Sequence, residues 1–184
     1  MVEESYIQNK QRLCRTFQQE GKIQLLDIFQ QREYLLLLQK VRSLSFQRLY
    51  QPLRGSYAVA KVPLSLLKAG GLPAMLEMLL GKKVALLRAH AYLLRWKDYS
   101  LLHDEAIEGL GVDFLLDLTE GWKQGWGGAV VYTDGQGNYA PVMIKGNSLT
   151  VVQRNREQKF MQYVNHHAKG EERLIVMGKV EFRE

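Results

Sequence analysis

The sequence lacks most of the features that place a protein quickly. Its 184 residues include one cysteine (Cys14), four prolines and four histidines. A single thiol excludes an intramolecular disulfide and any multi-cysteine metal centre. No apolar run approaches the roughly 18–20 residues that a membrane helix needs, so no membrane partner is expected. The opening "MVEESYIQNKQRLCR" is too polar for a secretory leader, and a cytoplasmic protein is expected. No His-x-His pair precedes Gly127-Gly128, which argues against a cupin-like or sugar-binding barrel. Repeats, low-complexity tracts and domain linkers are absent as well. The net charge is 25 − 19 = +6 without a dense basic block. A nucleic acid or ribosome partner therefore has only overall charge in its favour, and a solvated basic surface explains the same number.

What the chain does have is a change of character near residue 84. Before it, "KIQLLDIF" (Lys22–Phe29) reads as a short strand, and "QQREYLLLLQKVRS" (Gln30–Ser43) places leucines on a helical stripe. "GGLPAMLEMLLG" (Gly70–Gly81) reads as a short helix, with Pro73 in its first turn and Gly81 as its stop. From Val84 onward the β-rich runs "VALLRAHAYLLRW", "GVDFLLDL", "GGAVVYTD", "YAPVMIKG", "NSLTVVQR", "KFMQYVNH" and "RLIVMGKVEF" alternate with turn residues such as "DGQGN", "KGN" and "AKGEE". Helices first and strands later predict one α+β domain over residues 1–184. Residues 1–83 would form helical support, and 84–184 a β-sandwich or barrel. A barrel with one open mouth commonly holds a small ligand.

The stretch "YSLLHDE" carries the candidate chemistry. His103 and Glu105 lie two residues apart, so an extended backbone aims both at one face and Asp104 at the other. An imidazole with a carboxylate supplies two of the three ligands of the facial triad that holds non-haem Fe(II). Taken alone, a His-x-acid pattern is common, and a lone histidine near a strand end is more often structural.

The surrounding order is more specific. "YSLLHDE" is followed by the apolar run "VDFLLDL", then Trp122, then Gly127-Gly128 and "AVVY", then "NSLTVVQR", then Arg173 opening "RLIVMGKVEF". Over Val84–Phe182 this resembles the Fe(II)/2-oxoglutarate-dependent oxygenases, in particular the prolyl 4-hydroxylase-like branch that includes the ribosomal-protein prolyl hydroxylases. The resemblance implies a double-stranded β-helix (jelly-roll) barrel with supporting N-terminal helices. It implies Fe(II) as cofactor and 2-oxoglutarate as cosubstrate. The implied reaction is hydroxylation of a C–H bond, such as one on a prolyl residue of a protein or peptide substrate. His103 and Glu105 would be metal ligands. Arg173 would grip the distal carboxylate of 2-oxoglutarate with a two-pronged guanidinium contact. Tyr99 is a further cosubstrate contact, with Tyr92 a weaker candidate, while Trp122 and Trp126 line the mouth or fill core. The loops expected to choose the substrate are "LYQPLRGSY" (Leu49–Tyr57) and "EAIEGLGVD" (Glu105–Asp113).

Two departures stand out. Glu105 replaces the commoner aspartate, a conservative change. The family's distal histidine, eleven or so residues before the basic residue, falls on Gln162 or Met161, and "FMQYV" favours Gln162. Neither an amide oxygen nor a thioether suits Fe(II) as imidazole does. His166 and His167 follow shortly after, and His166 is the expected substitute third ligand if the strand is shifted. The alternative is a degenerate jelly-roll that keeps the barrel and Arg173 but binds or scaffolds without catalysis.

Overall fold

A computed structural model describes residues 6, 9–102, 111–155 and 157–183. In chain order its helices are α1 (Lys10–Glu20), α2 (Gln31–Arg42), α3 (Leu64–Ala69) and α4 (Leu72–Leu80). Its strands are β1 (Lys22–Leu26), β2 (Gln47–Gln51), β3 (Gly55–Lys61), β4 (Val84–Leu94), β5 (Tyr99–Ser100) and β6 (Gly111–Asp117). They continue with β7 (Val130–Thr133), β8 (Tyr139–Pro141), β9 (Ser148–Arg154), β10 (Gln158–Met161) and β11 (Arg173–Phe182).

All the pairings are antiparallel. The main sheet runs β1-β9-β6-β11-β4-β3-β2, with β5 joining at β3, and a small sheet runs β10-β7-β8. The main sheet is covered by helices on one face and by the small sheet on the other. This gives the jelly-roll half-barrel with supporting helices that the resemblance implies. No helix among the described residues is long and apolar enough to cross a membrane.

Alternation along the central strands sorts side chains between two cores. On β6, Val112, Phe114 and Leu116 face the helices, while Asp113, Leu115 and Asp117 face the barrel interior. On β11, Leu174 and Val176 face the helices, and Arg173, Ile175 and Met177 face inward. Gly178 lies on the helix side, where the Phe114 ring and the Arg88 carbonyl press against it.

Helix α2 presents Tyr34, Leu37 and Val41 to the core at i, i+3, i+7, the spacing of one helical face. The expected leucine stripe is therefore narrower than the run suggests, since Leu35 and Leu36 are exposed. The N-terminal third is also less purely supportive than its composition implies. It contributes β1, β2 and β3 to the main sheet, and "LYQPLRGSY" forms the tip of the β2–β3 hairpin.

Tyr34 is fully buried, yet its hydroxyl has no hydrogen-bond partner among the described residues. Burial, then the nearby carboxylates of Glu120 and Asp117, push its pKa well above the ordinary 10.0. With the folded-state pKa raised in this way, stability is full below the ordinary 10.0 and is lost as pH climbs from there through the raised value. Tyr34→Phe should therefore stabilise the fold by about 1 kcal/mol at neutral pH and flatten the decline in alkali. Thermal melts at both pH values check this, and a lower Tm for the variant at either would refute it.

Candidate functional site

Strand β5 leads directly into "HDE". His103, Asp104 and Glu105 lie outside the described residues, as does most of Glu105–Asp113. The two residues before Leu101 are placed. Tyr99 points outward, its hydroxyl donating to the Pro52 carbonyl at 3.3 Å and its ring tilted against Tyr163. Ser100 points inward and its Oγ accepts from the Met161 amide at 2.7 Å. Tyr92 is half-buried beside Tyr57 at the edge of the interior.

Strand β10 settles which residue faces the barrel. Its pairing with β7 (Met161 opposite Val130) turns Met161 inward at 4% exposure, into the core with Leu115, Ile175 and Met177. Gln162, which the sequence pattern favours, is exposed. Its amide donates to the Ala129 carbonyl and its carbonyl accepts from Gly128. His166 and His167 sit exposed on the 3-10 turn His166–Ala168, rings 4.0 Å apart, with the Asn165 side chain accepting from the His167 amide. The structure does not bring them to the barrel interior. Among the described residues, no three His, Cys, Asp or Glu side chains gather as a metal site.

Arg173 opens β11 with 0% exposure and reaches into the barrel. Its guanidinium is not waiting for a ligand. Nη2 donates to Asp117 Oδ2 at 2.7 Å, Nη1 donates to the Gly128 carbonyl, and Nε has no partner among the described residues. Asp117 is equally buried, and its Oδ1 accepts from the Thr119 amide at 3.1 Å. Nearer the other end of β6, Asp113 faces Lys159 at 3.0 Å, Arg154 at 3.3 Å and Lys179 at 3.9 Å. Both aspartates escaped the sequence reading, which took "VDFLLDL" as simply apolar. The available signal was parity: Asp113, Leu115 and Asp117 share one face, opposite Phe114 and Leu116.

The Gly127-Gly128 pair marks a close approach, as its sequence suggests. Gly127 (φ 78°, ψ −157°) lies against the Tyr163 carbonyl, and its own carbonyl accepts from Trp122 Nε1 at 2.9 Å. Trp122 fills core, edge-on to the half-buried Trp126 at 5.3 Å.

The cavity lined by Tyr57, Tyr92, Ser100, Val130, Met161 and Met177, among others, is about 20 Å³. That is room for about one water, against the roughly 300 Å³ at which ligand pockets begin. At Arg173 the described residues do not fit 2-oxoglutarate as they stand. The guanidinium that would take its distal carboxylate already holds one, that of Asp117. A larger depression, about 560 Å³, lies between Tyr34, Trp122, Trp126 and the turns at Glu120 and Glu171, with Thr119 among its lining.

The architecture is that of the prolyl 4-hydroxylases and other 2-oxoglutarate–Fe(II) oxygenases. A prolyl-4-hydroxylase from Pseudomonas putida superposes with a TM-score of 0.71 at 14% identity, over 95% of this chain and 100% of that one. A prolyl hydroxylase from Trichoplax adhaerens, in complex with a hypoxia inducible factor oxygen degradation domain peptide fragment, gives 0.74 at 11%, over 97% and 93%. HygX from Streptomyces hygroscopicus, with nickel and 2-oxoglutarate bound, gives 0.63 at 10%, over 92% and 85%. No family model and no curated protein sequence matches the chain.

Proposed function

We propose that this chain is a jelly-roll protein of the oxygenase fold that acts by binding a protein or peptide segment, without turning over 2-oxoglutarate. The observation that carries the reading is the buried Asp117–Arg173 ion pair, which occupies the guanidinium that would anchor the cosubstrate. Met161 supports it, because a thioether stands on the inward face of β10 near the place where the resemblance calls for an imidazole. A peptide partner is the kind the Trichoplax adhaerens neighbour holds.

A second reading has one observation in its favour: Arg173 lies inside the barrel, where the resemblance puts the cosubstrate anchor. On that reading the chain is an Fe(II)/2-oxoglutarate-dependent hydroxylase. His103 and Glu105 would hold the iron, and Asp117 would have to release Arg173.

Anaerobic calorimetry with Fe(II) or Mn(II) and 2-oxoglutarate, paired with an assay for succinate, separates the two. The binding-protein reading expects neither heat at micromolar metal nor succinate, and turnover of 2-oxoglutarate ends it. Met161→His is the complementary experiment. If His103 and Glu105 line the same mouth, it should tighten Co(II) binding by at least about tenfold, since even outer-shell partners are worth that much. The visible absorption of bound cobalt reads the change, and an unchanged affinity would mean that Met161 does not stand at a ligand position.

A further inference from the structure

We infer that Asp117 is the resident occupant of the carboxylate slot on Arg173, so that the barrel carries its own carboxylate where an oxygenase takes one from 2-oxoglutarate. The inference rests on the binding-protein reading and supplies its physical cause.

The geometry is that of a filled site. Both oxygens of Asp117 are committed, Oδ2 to Arg173 Nη2 at 2.7 Å and Oδ1 to the Thr119 amide at 3.1 Å. The second guanidinium nitrogen is held by the Gly128 carbonyl. Neither side chain has any exposed surface. The aspartate is also fixed from behind, because β6 is an interior strand in which Asp117 pairs with Ser148 of β9 and Ile175 of β11. An incoming carboxylate would have to displace a partner anchored through three strands. The guanidinium retains donor capacity at Nε, so what stands against a second anion is the existing ion pair.

The slot should reappear when its occupant is cut away. Asp117→Ala removes the carboxylate and leaves a buried, uncompensated guanidinium beside a hole of about one carboxylate's size. Formate is the smallest carboxylate that can fill it, and chloride at equal ionic strength is the control. The expected result is a Tm for Asp117→Ala that is higher in formate than in chloride by about 3–6 °C, the shift for a ligand at about ten times its Kd. Wild type and Asp117→Asn, whose slot stays filled, should melt alike in the two salts. Wild type should also give no heat with 2-oxoglutarate alone. If Asp117→Ala does not fold in chloride, refolding it from urea in the two salts reads the same quantity: recovery in formate alone supports the inference, and equal failure in both overturns it. Binding of 2-oxoglutarate by wild type overturns it as well. Should wild type neither bind nor consume 2-oxoglutarate, while Asp117→Ala gains nothing specific from formate, the inference falls and the binding-protein reading stands.

Discussion

Replacing Arg173 with methionine should cost the fold about 3–5 kcal/mol, the usual consequence of stranding one member of a buried ion pair. Asp117 would keep its bond from the Thr119 amide and lose the guanidinium, with no water in reach of a side chain at 0% exposure. The cost arises from the charge left behind, so removing both charges should recover most of it. Asp117→Leu with Arg173→Met replaces the pair by apolar groups of similar size and should lie within about 1–2 kcal/mol of wild type, or above it. Urea denaturation of the four proteins closes a double-mutant cycle. Additive losses would show that the two side chains do not act as a pair, and would remove the basis for treating Arg173 as occupied.

Gly127→Ala should be nearly as damaging, at more than about 3 kcal/mol, through the backbone alone. The residue sits at φ 78°, ψ −157°, a region that side chains avoid, and a methyl group there would overlap the Tyr163 carbonyl. Neither side can yield easily. The Gly128 amide donates to the Gln162 carbonyl, and the Asn165 amide donates to the Trp126 carbonyl, stitching the two segments together on both sides of the contact. Gly128→Ala meets side chains and no backbone, with Val164 at 3.2 Å the tightest contact, at a similar positive φ. It should cost about 1–2 kcal/mol. Chemical denaturation that ranked Gly128 above Gly127 would contradict the close-approach account of this pair.

Most strands from Val84 onward were legible because they place a core face on alternate residues, and polar turns separate them; β8 is exposed throughout and was marked by its flanking turns. Helix α1 was not, because Lys10–Glu20 buries only Phe17 and so offers no apolar stripe. Strand β2 was hidden for a related reason: Gln47–Gln51 is exposed along its whole length, and Pro52 and Leu53 at the hairpin tip read as loop. Within the site, Arg173 was identified by its place in a family-like order of motifs, and that order says nothing about what the guanidinium touches. The choice between Met161 and Gln162 turned on strand parity. One residue of register decides it, and that register is set by pairing with β7 and not by local sequence. Asp117 was missed because a charged residue in an apolar run looks like the end of a strand. Only the fold puts a cation across from it.

The ion pair also bears on how the arginine is to be interpreted in any descendant or relative that shares it. A lineage carrying Asp117 and Arg173 together can discard neither by a single substitution without stranding a buried charge, so each preserves the other against drift. Arginine at 173 would then persist for reasons of stability alone, long after any demand for a cosubstrate had lapsed. Its retention is no signature of oxygenase chemistry unless the residue at 117 has no acid to offer it.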